Sequence, residues 1–167
     1  MGRSENHIRA EATATAVEHW RYARHLETLA AAALGADEAG EAEAVAAVLR
    51  DRDPVMAESA VVTHLDRRAA QLLADPRFPG WALAVGTAIG DRAFPARRLR
   101  EWTLLKAISD GGPWSAAELT AASDWCQRTA AQSLGSYEAL DLLAATARTH
   151  RVRSAAAARL RRRNLAG

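Results

Sequence analysis

Apolar residues recur every three or four positions along most of the chain, which is the spacing of one face of an α-helix. No stretch alternates apolar and polar residues as a half-buried strand does, and Ala, the strongest helix former, makes up about a quarter of the sequence. The sequence therefore predicts an all-α protein of seven or eight helices. We place them at about 6–34, 37–50, 53–73, 81–89, 94–109, 115–134, 136–148 and 152–163.

Residues that begin and end helices mark these boundaries. Asp53-Pro54 is a strong start, because Asp accepts hydrogen bonds from free backbone N–H groups and Pro fits the first helical turn. Ser115 and Glu118 have the spacing of a capping box and follow a Gly-Gly-Pro break. The sequence also predicts a loop at 77–80, a cap for the fifth helix at Asp91, and frayed ends at 1–12 and 164–167.

The helical pattern contains a weak internal repeat with a period of 39 residues. Corresponding positions in two successive helix pairs are Ala42 and Trp81, Val45 and Ala84, Val55 and Phe94, and Leu65 and Leu104. A period near forty in a helical chain is typical of stacked helix pairs. We therefore expect a single domain, 1–167, with repeat-like pairs at about 37–73, 81–109 and 136–163. The short connections would also suit a compact bundle.

Two stretches resemble the second-helix consensus of HEAT-like repeats, in which a Val-Arg pair is followed by small residues and then Leu. One is HRVRSAAAARL, from His150 to Leu160, and a similar one runs from Asp53-Pro54-Val55 to Leu65. The resemblance covers about 37–163 and implies a short right-handed stack of antiparallel helix pairs with a ligand-accepting concave face. Such families mostly scaffold proteins or bind peptides. A minority are alkylpurine DNA glycosylases, whose catalytic carboxylate and aromatic residues match no positions here.

Composition limits the classes of partner and the cellular compartment that we expect for the protein. The formal net charge is only +2, so charge alone points to no class of partner. The single cysteine, Cys126, excludes a disulfide within the chain and suits a reducing compartment. The first nine residues lack the apolar core of a signal peptide, and no apolar run reaches the length of a membrane span. We therefore expect a cytoplasmic protein without a membrane partner.

Residue patterns that would carry catalysis or hold a metal are weak. His64 with Asp66 and Cys126 with Asp124 are two apart on helices, so their side chains do not face each other. His19 and His25 are six apart and fall on different faces. One cysteine cannot build a zinc cluster, and the glycine-rich segments do not follow a strand as a phosphate loop does. The sequence predicts no catalytic residue, no metal site and no cofactor.

Arginine and tryptophan are the residues that indicate binding. Arg97, Arg98 and Trp102 combine basic and aromatic character on one predicted helix, and we choose them as a binding surface together with Arg151 and Arg153. No acidic residue follows Asp141, whereas seven arginines do: Arg148, Arg151, Arg153, Arg159, Arg161, Arg162 and Arg163. We expect three or four of the five tryptophans to fill the core that Ala leaves thin.

Together these features favour a non-catalytic scaffold or binding module that recognises a protein or peptide. Two alternatives remain open. The Arg-rich C-terminal end could neutralise phosphates, as in a nucleic-acid-binding helical-repeat module. The chain could also be a small helical enzyme without a recognisable site motif. The first helix could cap a stack or pair with a second copy, and we favour capping.

Overall fold

The computed structural model describes residues 2–35 and 37–166, with side chains at 17–35 and 37–165. This part of the chain contains nine α-helices and no strand, which confirms the all-α prediction. The helices are α1 (Gly2–Leu34), α2 (Glu38–Val48), α3 (Pro54–Leu72), α4 (Phe78–Ile89), α5 (Ala93–Asp110), α6 (Ala116–Ala121), α7 (Asp124–Ser133), α8 (Tyr137–Thr146) and α9 (His150–Ala166).

Short polar side chains begin several of these helices, as the sequence predicts. The Asp53 carboxylate accepts a hydrogen bond from the Met56 backbone N–H at 3.0 Å and so starts α3. Ser115 and Glu118 form a complete capping box at α6. Ser136 accepts from the Ala139 N–H at 3.2 Å and starts α8. These contacts satisfy N–H groups that a helix cannot satisfy internally.

The helix predicted at 115–134 is in fact two helices. Ala122 is extended at the end of α6, and Ser123 then starts α7 by accepting a hydrogen bond from the Cys126 N–H. The Ser123 N–H in turn donates to the Glu101 carboxylate at 2.9 Å. A carboxylate supplied from another helix therefore takes the N–H that a continuous helix would have used, and the Ala-rich sequence gives no sign of it.

Three other boundaries also differ from the predictions. The predicted loop at 77–80 belongs mostly to α4, which begins at Phe78 because the carbonyl of Asp75 accepts the Phe78 N–H and Pro is tolerated in a first turn. Helix α5 begins at Ala93, so Arg92 and not Asp91 precedes it. The ends predicted to fray are helical from Gly2 and as far as Ala166, while Met1 and Gly167 lie outside the described residues.

The chain divides into two compact units. The first unit comprises Met1–Arg68 and Gly80–Ala96, and the second comprises Ala69–Pro79 and Arg97–Gly167. Helices α3 and α5 begin 39 residues apart, at Pro54 and Ala93, which agrees with the repeat seen in the sequence. The stack of helix pairs and the single domain stay predictions.

Large side chains fill each unit between the alanines. The first unit buries Leu29, Val45, Val48, Val61, Leu65, Trp81, Val85 and Ile89. The second buries Phe78, Trp102, Leu105, Leu119, Leu134, Leu140, Leu143 and Val152. Two tryptophans are fully buried, two are half-buried (Trp114 and Trp125), and Trp20 is 61% exposed. The core therefore contains fewer buried tryptophans than the three or four that the sequence predicts.

None of the helices in the described part of the chain combines the length and the apolar character that a bilayer crossing requires.

Candidate functional site

The second unit contains an open cleft of about 470 Å³, and three arginines line it. Its full lining is Arg97, Arg100, Glu101, Leu104, Glu118, Ala121, Ala122, Ser123 and Arg148. We call this feature the arginine cleft. Its walls come from α5, from the junction of α6 and α7, and from the link between α8 and α9.

Helix α5 supplies one whole wall of the arginine cleft because of its spacing. Arg97, Arg100, Glu101 and Leu104 lie three, four and seven positions apart, so they share one helix face. The two arginines are exposed, Leu104 is half-buried and Glu101 is 7% exposed. The wall therefore combines two exposed cations with one half-buried apolar side chain and one buried carboxylate.

Both glutamates of the arginine cleft are engaged by the protein itself. One oxygen of Glu101 accepts from the Ser123 N–H, and the other lies 3.8 Å from Nε of Arg98. The Glu118 carboxylate accepts from the Ser115 N–H at 2.8 Å within the capping box. Each carboxylate is thus held in place by groups of the protein itself. A ligand would meet them as fixed negative charges.

A buried glutamine positions the third arginine. Gln127 is 1% exposed, and its amide nitrogen donates to the carbonyls of Leu119 and Thr120 at the end of α6. Its amide oxygen accepts the Arg148 N–H at 3.0 Å. The Arg148 guanidinium donates to the Ala122 carbonyl and to Asp124 at 3.1 and 3.2 Å. Arg148 is therefore tied to the junction of α6 and α7, which also lines the arginine cleft.

The residues predicted as a binding surface are separated by the structure. Arg97 lines the arginine cleft, whereas Arg98 packs its guanidinium 3.7 Å from the ring centre of Trp125 and is mostly buried. Trp102 is only 5% exposed and meets Trp125 edge-on at 5.3 Å, so it belongs to the core and not to an exposed surface. The surface as a whole stays a prediction.

Most of the basic C-terminal arginines donate to helix ends. Arg153 reaches the Ala147 carbonyl at 2.6 Å, Arg159 reaches the Ala131 carbonyl at 3.0 Å, and Arg163 donates to the carbonyl of Gly135. These carbonyls end α7 and α8, where cations are favourable. Arg151, Arg161 and Arg162 are exposed on α9.

The first unit contains a buried cluster around Glu41, which is 2% exposed. Its Oε1 accepts from His64 Nε2 at 2.7 Å and from Trp81 Nε1 at 2.8 Å, and its Oε2 accepts from Arg68 Nε at 3.1 Å. Burial raises the pKa of Glu41, but the hydrogen bonds and the positive charge outweigh burial and lower it overall. The donors come from α3 and α4, so the cluster joins three helices.

A second carboxylate cluster lies at the end of α2. Asp51 accepts from the Asp53 backbone N–H at 2.9 Å, from Arg21, and from His25 Nε2 at 2.9 Å. The Asp53 N–H and then Arg21 lower the pKa of Asp51 to about 2. The aspartate therefore anchors α1 to the α2–α3 link as a stable anion.

Two of the histidines considered for chemistry pair with carboxylates of the first unit. His64 pairs with Glu41 in the interior, and His25 pairs with Asp51. Burial and the nearby Glu101 raise the pKa of Cys126 to about 12, so its thiol stays protonated near neutral pH. Among the described residues no three His, Cys, Asp or Glu side chains form a group that could hold a metal ion.

No family model, curated protein or solved structure matches the chain. The HEAT-like resemblance therefore stays an expectation.

Sequence reasoning identified Arg97 but missed most of the arginine cleft. Arg100 and Glu101 could have been found from their three- and four-residue spacing from Arg97. Arg148, Ser123 and Gln127 carry no such signal, because their positions depend on how α6, α7 and α8 pack.

Proposed function

We propose that this protein is a non-catalytic binding module that receives a peptide segment of a protein partner in the arginine cleft. The observation that carries the proposal is the lining itself, which brings three arginines together with the apolar side chains of Leu104, Ala121 and Ala122. Binding sites commonly combine apolar side chains with a few polar groups that fix orientation.

The chemistry of the lining supports recognition over catalysis. Arginine stays protonated in proteins and cannot serve as a general base at neutral pH. Glu101 and Glu118 are held by backbone N–H groups, and the thiol of Cys126 is buried and protonated. The arginines and glutamates of the lining can attract and orient a ligand, but they are poorly placed to move its protons, and Cys126 does not line the arginine cleft.

A peptide partner also agrees better with the charge distribution than a nucleic acid does. Four of the seven C-terminal arginines donate to the chain's own carbonyls: Arg148, Arg153, Arg159 and Arg163. The formal net charge is only +2. Nucleic-acid binding depends on many accessible phosphate contacts, and these arginines act first as helix caps.

The proposal is tested by selecting binders from a displayed library of random short peptides and measuring their affinity by calorimetry. We expect the double variant Arg97→Ala/Arg100→Ala to lose at least about tenfold in affinity, because charge-assisted contacts of this kind contribute that much. The matched control is Arg161→Ala/Arg162→Ala, which removes the same charge outside the cleft and should bind like the wild type. Circular dichroism confirms that both variants fold.

Two results would reject the proposal. One is that the wild-type chain selects no peptide. The other is that the control variant loses binding while the cleft variant keeps it. Labelled DNA and RNA oligonucleotides are tested in parallel between about 50 and 200 mM salt. Steeply salt-dependent binding that disappears in Arg161→Ala/Arg162→Ala would instead support a nucleic-acid partner.

A further inference from the structure

Helix α1 has two faces with different surroundings. One face packs into the first unit, where Leu29 is fully buried and Arg21 and His25 both donate to Asp51. The opposite face is exposed, and its side chains recur at alternating steps of three and four residues. We call this face the α1 stripe, and its members are Val17, Trp20, Arg24, Glu27, Ala31 and Leu34.

The apolar side chains of the α1 stripe favour a protein partner. Val17, Trp20 and Leu34 are large, apolar and exposed, and they lie along one line of the helix. A helix that caps the end of a stack needs a polar outer face, which these three residues do not provide. Apolar side chains at alternating steps of three and four are instead the seam by which one helix packs against another.

The α1 stripe is complementary to itself when one copy is reversed. Two antiparallel copies can be related by a two-fold axis that passes between residues 25 and 26, so that every contact forms twice. The facing pairs are then Val17 with Leu34, Trp20 with Ala31, and Arg24 with Glu27. The spacing of the stripe is the same in both directions, so all six positions find a counterpart.

Each pair in this antiparallel arrangement is favourable. The pairs at the two ends are apolar, Trp20 faces a residue small enough to leave room for its ring, and Arg24 faces an acid. Parallel copies would instead place Arg24 against Arg24 and Glu27 against Glu27, and like charges repel. The Arg24 guanidinium lies 5.2 Å from the ring centre of Trp20, so the two side chains are already together on this face in the single chain.

We propose that the chain forms an antiparallel homodimer through the α1 stripe. Burial of the exposed apolar side chains favours association, and the two Arg24–Glu27 pairs select the register and the antiparallel direction. Because only six side chains of each copy take part, the dimer is small and reversible, with a micromolar dissociation constant. This inference concerns the first unit and does not depend on the arginine cleft or its ligand.

The first experiment measures self-association of the full chain by sedimentation equilibrium between about 1 and 500 µM. Arg24→Glu places a second acid opposite Glu27 in both charge pairs, so we expect it to weaken dimerisation at least about tenfold. The matched control is Arg162→Glu, which makes the same charge change at an exposed position of α9 and should dimerise like the wild type.

A second charge variant tests the pairing itself. Glu27→Arg should also weaken self-association, because it places two arginines opposite each other. An equimolar mixture of Arg24→Glu and Glu27→Arg should form a heterodimer, since each acid then faces an arginine. The double variant Arg24→Glu/Glu27→Arg should dimerise again. Recovery of this kind would not occur if a single variant had lost association by failing to fold.

The register is tested with cysteine variants under mild oxidation. A mixture of Val17→Cys and Leu34→Cys should give the mixed disulfide in preference to either homodimeric one, because these two positions face each other only in the antiparallel arrangement. Cys126 is buried and its pKa is raised, so it contributes little to this reaction.

Three results would overturn the inference. A wild-type chain that stays monomeric at about 500 µM has no such dimer. A dimer that Arg24→Glu leaves intact uses another surface. Preferential homodimeric disulfides of Val17→Cys would show that the helices pair in the parallel direction.

Discussion

Glu41 is the residue on which the interior of the first unit most depends. It is buried, negatively charged and surrounded by the donors of His64, Trp81 and Arg68. A buried carboxylate is costly to desolvate, so it is stable only while these donors remain in place. In a core made largely of Ala and Val, this polar contact also selects one arrangement of α2, α3 and α4.

We expect Glu41→Gln to destabilise the protein by about 2–4 kcal/mol. Either orientation of the new amide points an NH₂ group at Trp81 or at Arg68, and both of these can only donate. The measurement is urea unfolding followed by circular dichroism. Glu43→Gln is the matched control, because Glu43 is exposed on the same helix. Equal stability of the two variants would contradict the assigned role of Glu41.

The lowered pKa of Asp51 predicts how the stability of the fold changes at acidic pH. Its pKa of about 2 in the folded state is below the value of about 3.9 in an unfolded chain. A lowered folded pKa stabilises the fold above the unfolded pKa, and this contribution is lost as pH falls through the folded pKa. We therefore expect the stability advantage of the wild type over Asp51→Asn to be constant above about pH 5 and to shrink between about pH 4 and pH 2.

Unfolding free energies of both proteins, measured at intervals across this pH range, check the prediction. A difference that stays the same down to about pH 2 would show that the Asp51 carboxylate is not held by Asp53 and Arg21 in solution.

At the scale of the helix, the end of α4 depends on backbone conformation more than on contacts. Gly90 has a φ of 63°, in the left-handed region, and a side chain added there would meet nothing within 4 Å. Its role is therefore conformational. Arg92, two residues later, donates to the carbonyls of Ile89 and Leu49, which secures the chain after the helix ends.

We expect Gly90→Ala to destabilise the protein by about 1 kcal/mol, because Ala is strained at this φ. Gly135→Ala is the control. Gly135 also has open space around it, but its backbone is outside the left-handed region. That variant should change stability by less than about 0.5 kcal/mol or stabilise slightly. Thermal unfolding measures both, and equal losses would show that the left-handed backbone at Gly90 is not the cause.

The junction of α6 and α7 is the other element-scale feature with a functional consequence. Because Ser123 ends the helical run and donates to Glu101, Ala121 and Ala122 come to line the arginine cleft. If 115–134 were one continuous helix, Ala121 and Ala122 would lie in its interior turns, and the break that brings them to the arginine cleft would be absent. This part of the lining of the proposed peptide site therefore depends on one serine and one buried glutamate.

At the scale of the whole molecule, positive and negative charges almost cancel, so the position of each charge matters more than their sum. With a net charge of +2, long-range attraction contributes little to any partner. Local placement matters more, and the described residues put arginines at helix ends, at buried carboxylates and around one cleft.

Cys126 provides a probe of how the second unit opens. The thiol is fully buried and has a pKa near 12, so the reactive thiolate is scarce in the native protein. We expect a disulfide reagent to label native protein at least about a hundredfold more slowly than denatured protein, since labelling requires opening of the unit. Rapid labelling of the native protein at neutral pH would contradict the burial of this helix face.

The sequence by itself determined the helical class, most helix positions and the caps at Asp53 and Ser115. These depend on local spacing and on side chains that bond their own backbone within a few residues. It also indicated the 39-residue offset between the starts of α3 and α5. Such features depend on residues that are close together in the chain, and so they can be predicted from the sequence alone.

Only the tertiary structure decided which polar residues meet. Glu41 is one acid in an acidic stretch until α3 and α4 bring His64, Arg68 and Trp81 to it. Arg100 and Arg148 are 48 residues apart in the chain and line one cleft only because Gln127 and Ser123 fix the α6–α7 junction. Long-range hydrogen bonds depend on how helices pack, and packing of an Ala-rich core is set by side-chain shape that no local pattern encodes.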